Sequence, residues 1–279
     1  HGEFDLRIEG TRLARIGRDL PVDGAHVVEL PRSLVVTPGL IDMHVHLREP
    51  GQEHKETVAT GTASAAAGGF TTVCPMPNTQ PVIDSAEAVR WLLARAEEAG
   101  GTRREPIAAA TEGSRGSKPT DASALAAAGA VALSDDGLPI PTARLMAEVL
   151  KRAADAGLVV AEHCENRDLS AGGAVFAGAV AERHGVGGIP AEAESEAVDR
   201  NLEVLARVGG RLHLCHVSTA RSVELVRQAK AEGLPVTAEA TPHHLTLTVA
   251  AVDASGADAK MNPPLAEDAD RSALRAALI

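Results

Sequence analysis

The stretch "PTARLMAEVLKRAADAGLVVAEHCEN", Pro141 to Asn166, holds an amphipathic helical pattern that closes on Gly157 and turns at once into an apolar, strand-like run. The same rhythm recurs at "STARSVELVRQAKAEG", which is followed by "LPVTAEATPHH". A third helix, "DSAEAVRWLLARAEEAGG", has Asp84 and Glu87 in capping-box spacing and ends on Gly100. Strand, helix, strand in regular succession is the pattern of a parallel sheet covered by helices.

From residue 36 onward the strand-like runs are "VTPGLIDMHVHL", "GFTTVCPMP", "PIAAAT", "AVALSDDG", "LVVAEHCE", "RLHLCHVS" and "PVTAEATPHH". Seven strands in this order predict an α/β fold, a (β/α)8 TIM-type barrel whose eighth strand is absent from this chain, with a doubly wound sheet as the other option. Residues 1–37 read differently. "EFDLRIEGTRLARIG" and "AHVVELPRSLVV" predict short antiparallel strands, a small β-sandwich segment beside a barrel at 38–279. The chain begins at His1 and ends in the helical "LRAALI", so both ends read as cut.

The 279 residues are 44% hydrophobic and carry a net charge of −11 with no basic block, which disfavours nucleic-acid binding. No apolar run reaches the length of a membrane span and no signal peptide is visible, so a cytoplasmic protein is expected. Aromatic residues make up 1% of the chain, so the core must be built from Ala, Val, Leu and Ile. Cys74, Cys164 and Cys215 have no Cys-x-x-Cys spacing and read as buried thiols; alternation turns Cys164 and Cys215 away from the neighbouring His163 and His216, toward the helices.

Polar residues gather where strands end, the rim on which barrel enzymes place their active sites. His44 and His46 sit one residue apart and share a strand face. Asp135 and Asp136, His163 and His216 end later strands. Four histidines and a carboxylate at one rim suit zinc, and a carboxylate between histidines suits two ions. Taken singly, each has a simpler reading: a lone strand histidine is usually a packed residue and "DDG" is usually a turn.

The segments "GLIDMHVHLREPG", "MPNTQPVID", "SDDG", "AEHCEN", "LHLCHVSTARSVELVR", "TAEATPHHLTLT" and "KMNPPL" together resemble type I dihydroorotase of the amidohydrolase superfamily, in order and over nearly the whole chain. The resemblance implies a zinc-dependent cyclic amidohydrolase interconverting (S)-dihydroorotate and N-carbamoyl-L-aspartate in pyrimidine biosynthesis. It implies metal ligands at His44, His46, Asp136, His163 and His216, with Asp136 bridging and Asp135 facing away. It implies substrate contacts from His46, Arg48, Asn78 and Asn262, where arginine offers a carboxylate a planar fork of donors. It also implies a homo-oligomer and, in some relatives, assembly with aspartate transcarbamoylase. Glu162 and Glu239 are candidate partners of the ligand histidines; His243 and His244 are read as structural. The family's eighth strand carries an aspartate that shuttles protons, in an Asp-His element these residues do not contain. The rivals are a hydantoinase or allantoinase, whose bridging lysine has no counterpart in "AVALSDDG", and a non-catalytic scaffold for aspartate transcarbamoylase.

Overall fold

The computed structural model describes residues 2–278, and the chain divides into two units, 1–39 and 40–279. In the first, Asp5–Glu9 and Arg12–Gly17 form an antiparallel hairpin turning at Gly10, whose φ of 60° suits glycine. The expected strands in "AHVVELPRSLVV" are not formed: residues 25–38 contain no strand, and Val27, Val28, Leu30 and Val35 are exposed. Among the described residues of this unit, the paired strands are those of the hairpin. Apolar, β-branched residues supply strand propensity, but a strand exists only where a partner takes its N–H and C=O groups.

The second unit is built on seven parallel strands. They are Leu40–Val45, Phe70–Pro75, a third in two pieces (Arg103–Arg104 and Ile107–Ala108), then Ala132–Leu133, Val159–Glu162, Leu212–Leu214 and Val236–Ala238. The third strand is broken by Pro106, which has no N–H to donate. Its first piece pairs with the second strand and its second piece with the fourth, and the Glu105 N–H still reaches the Val73 carbonyl at 3.0 Å. Every strand therefore lies beside its predecessor in the chain. A doubly wound sheet must reverse this order at a switch point; none occurs here, and the wall is that of a (β/α) barrel. No strand follows Val236–Ala238 among the described residues, and Leu40, Ile41 and Met43 on the first strand are about half exposed or more.

Helices cover the outside of the wall. Ala143–Asp155, Glu192–Val208 and Ala220–Ala231 press Met146, Val149, Leu150, Val198, Leu205 and Val226 onto Leu133, Val160, Leu212 and Leu214. The inner face is a second cluster without helix residues: Cys74, Met76, Ile107, Ala132, Ala161 and Cys215. Alternation along each strand separates the two layers. Thr142 and Thr219 cap their helices through side-chain oxygens. The helix Ala86–Ala99 ends at Gly100 as expected, but its N-cap is Ser85, which accepts from the Ala88 N–H. Asp84 is used elsewhere, accepting from the Gly113 N–H at 2.8 Å. Among the described residues, no helix is long and apolar enough to cross a membrane.

Candidate metal centre

The first strand delivers His44 and His46 to the rim, and the fourth delivers Asp136. His44 Nε2 lies 3.3 Å from Asp136 Oδ1, and His46 Nε2 lies 3.5 Å from Oδ2. From the sixth strand, His216 Nε2 stands 3.7 Å from Asp136 Oδ1. His163, at the end of the fifth, places Nδ1 3.1 Å from His216 Nε2. These residues form two donor groups, His44–His46–Asp136 and Asp136–His163–His216, each with its ligand atoms within 4.8 Å of one another. The two groups share one carboxylate.

Asp135 and Asp136 divide the work of the "SDDG" turn. Asp135 is turned away and accepts from the Thr111 N–H at 2.9 Å and from the Thr111 hydroxyl at 2.5 Å. The Asp136 backbone N–H donates to the Ser134 hydroxyl oxygen at 3.0 Å, and its carboxylate is left to the histidines.

The electrostatics of the cluster favour positive charge. Burial alone would raise Asp136, but hydrogen bonds to His216 and His44 and the charge of His44 hold it well below the usual carboxylate range. Burial works against the His44 cation too, yet Asp136 and Glu239 together raise its pKa to about 10. Burial depresses His46 and His216, the former aided by the charges of Arg48 and His44. Two ionised carboxylates thus hold a proton on the histidine between them, and a cation bound there would take that proton's place. Imidazole nitrogens and carboxylate oxygens are the donors zinc takes. His216 Nδ1 is buried with no partner among the described residues. The donor set fits zinc on each of these counts.

The substrate-side candidates fall in different places. Arg48, half-buried with φ of 60°, has no hydrogen bond or ion pair to its guanidinium among the described residues. Its loop is fixed on both sides. Glu49 accepts from Arg95 at 2.6 Å and from the Val58 N–H at 2.8 Å. Gly51, at φ 90°, lies so close to the Gln80 carbonyl that any Cβ would collide with it. Asn78 is already engaged: its Oδ1 meets His46 Nδ1 at 3.0 Å and its Nδ2 donates to Asp136 Oδ2 at 3.1 Å. Asn262 is exposed and shares a cavity with His163, Glu165, Phe176 and Pro263.

Two expectations need correction. Cys215 does not face the helices. It belongs to the inner cluster, close to His44 and Glu239. Leu214 packs outward and Cys215 inward, so alternation runs on to Cys215 and breaks at His216, whose φ is 37°, and two successive residues turn inward. Cys164 does face outward, 3.6 Å from Asn201 Nδ2 on the helix Glu192–Val208. Of the two glutamates, only Glu239 reaches a candidate ligand, taking His44 Nδ1 at 2.7 Å. Glu162 points outward to the Ile140 N–H, and burial raises its pKa to about 8.

Sequence reasoning passed over His213, which lies 3.2 Å from Glu239, and Glu194, which accepts from both N–H and both hydroxyl groups of Ser218 and Thr219. Glu194 holds the turn after His216 from a helix two elements away, a relation no local pattern announces. His244 is structural, joining Thr241 to the carbonyl of Pro263 at 3.1 Å.

Residues 33–222 match the family described as dihydro-orotase-like. The chain belongs to that family. Among its relatives, a dihydroorotase of Halalkalibacterium halodurans is 46% identical over 270 residues, 97% of this chain and 63% of the relative. Dihydroorotases of Pelotomaculum thermopropionicum and Anaeromyxobacter dehalogenans are 47% and 48% identical, over 99% and 97% of this chain and 64% and 65% of theirs. The chain therefore spans less than two thirds of the length of the relatives it matches. In structure it is similar to an L-hydantoinase of Arthrobacter aurescens, TM-score 0.81 at 24% identity, covering 98% of this chain and 62% of the other. A D-hydantoinase gives the same TM-score at 25% identity, over 99% and 62%.

Proposed function

We propose that the protein of which this chain is a part is a zinc-dependent dihydroorotase, opening and closing the ring between (S)-dihydroorotate and N-carbamoyl-L-aspartate. The observation that carries the reading is Asp136: one carboxylate common to two donor groups, with the uncommitted guanidinium of Arg48 beside His46. Asp136 would bridge two ions held by His44 and His46 on one side and by His163 and His216 on the other. Zinc, when bound, supplies Lewis acidity toward a carbonyl and hydroxide near neutral pH.

The remaining work falls to side chains. Arg48 binds the ring carboxylate through paired donors. Asn78 orients His46 and Asp136 and leaves the carboxylate chiefly to Arg48. Asn262, across the cavity, contacts the ring. The Asp-His element that the family resemblance implies for proton transfer has no match within these 279 residues.

The hydantoinases share the fold, but Asp136 stands where those relatives would bring a lysine, and Arg48 suits a substrate that carries a carboxylate. The deciding experiment offers the full-length protein dihydroorotate and unsubstituted hydantoin side by side. Turnover of dihydroorotate with little of hydantoin is expected; the reverse preference would overturn the reading. We place the protein in the cytoplasm as a homo-oligomer, and co-purification with aspartate transcarbamoylase tests that partnership.

A further inference from the structure

Glu239, immediately after the strand Val236–Ala238, has both carboxylate oxygens occupied. Oε1 lies 2.7 Å from His44 Nδ1 and also accepts the His216 backbone N–H at 3.3 Å. Oε2 lies 3.2 Å from His213 Nε2, and His213 Nδ1 meets the Thr237 hydroxyl at 2.8 Å. A carboxylate only accepts, so a neutral His44 donates from Nδ1. His213 Nε2 faces Oε2 at ion-pair distance without hydrogen-bond alignment, and His213 Nδ1 is held by the Thr237 hydroxyl.

We infer that Glu239 is the positioning residue of the metal centre, fixing His44 with its Nε2 lone pair toward Asp136 while His213 and Thr237 fix Glu239 itself. The inference deepens the zinc reading and rests on it. Glu239 grips both donor groups at once, the first through the His44 ring and the second through the backbone of His216, where φ of 37° already departs from strand geometry. Its Oε1 already takes the His44 ring and the His216 backbone N–H, on the side of His44 away from Asp136, so it acts through His44. A carboxylate behind a ligating histidine sets the tautomer and ring orientation, and its loss typically costs metal affinity about 10- to 100-fold.

The test uses the full-length protein, stripped of metal and titrated with zinc against a competing chelator. In Glu239→Gln, zinc should bind in unchanged stoichiometry with affinity lowered about 10- to 100-fold. His213→Gln keeps an N–H where Nε2 stands and should stay near wild type, whereas His213→Leu should fall between the two. In the zinc-loaded wild type, nitrogen-15 NMR should show His44 protonated at Nδ1, and that signal should be lost or shifted in Glu239→Gln. The melting temperature of each metal-free variant separates a general loss of structure from a loss of positioning. Affinity equal to wild type in Glu239→Gln would overturn the inference. So would loss of a whole zinc equivalent, which would make Glu239 a ligand. A wild-type protein that binds no zinc would instead overturn the metal reading itself.

Discussion

Asp135 and Asp136 are neighbours in sequence with opposite surroundings, and they give the sharpest mutational contrast. Asp136 is aimed at three histidines, whereas Asp135 binds Thr111 behind the wall. Asp136→Asn should lose metal and nearly all activity, since an amide is neutral and a poor ligand. Asp135→Asn should keep its zinc and most of its turnover while losing stability, because a buried charge-assisted hydrogen bond is removed, at a cost of roughly 1.5–3 kcal/mol. Elemental analysis and thermal melting of both variants check this. Arg48 makes no hydrogen bond or ion pair through its guanidinium among the described residues, so Arg48→Ala should leave the fold unchanged and weaken substrate binding by roughly 2–4 kcal/mol, the worth of a bidentate charged contact in a partly dry site. Arg48→Lys should recover part of that, and steady-state kinetics with dihydroorotate measure both.

The loops that follow the barrel strands are pinned individually. Glu49 ties the Arg48 loop to Arg95 and Val58, Glu194 clamps Ser218 and Thr219, and His244 joins the Thr241 turn to the Pro263 loop. The last of these depends on pH. Burial first, then the charge of His243, lowers the His244 pKa to about 4. The folded state therefore favours neutral imidazole, and the unfolded chain takes up a proton near the ordinary value of about 6.5. The stability this residue contributes is complete above that value and is lost as the pH falls from about 6.5 toward 4, by roughly 3 kcal/mol at most. Chemical denaturation of the metal-free protein across this range should show the decline, and His244→Gln, which does not titrate, should flatten it.

Across the whole barrel, the metal centre draws ligands from the first, fourth, fifth and sixth strands, so occupancy and fold stability are coupled. At a hundredfold excess of zinc over its dissociation constant, each ion adds about 2.7 kcal/mol. Chelation of the full-length protein should lower its melting temperature by several degrees, and added zinc should restore it; a melting temperature indifferent to the chelator would contradict the coupling.

What could be read without coordinates was local. The βα rhythm, the helix-closing Gly100 and Gly157, the His-x-His strand end and the "SDDG" turn are features of a few residues, governed by backbone preference and side-chain period. The family resemblance added the ligand roles because it matches motif by motif. The rest arises where distant segments meet. Alternation counted back from His216 misplaces Cys215, because the left-handed φ of His216, set by the packing of the strand end, breaks the period there. "AHVVELPRSLVV" has strand composition but no partner to complete its hydrogen bonds. His44 and Glu239 are 195 residues apart, and nothing within either segment shows that they share a proton. Local propensity decides which elements form, and only their assembly into the barrel wall decides which side chains meet on its inner face.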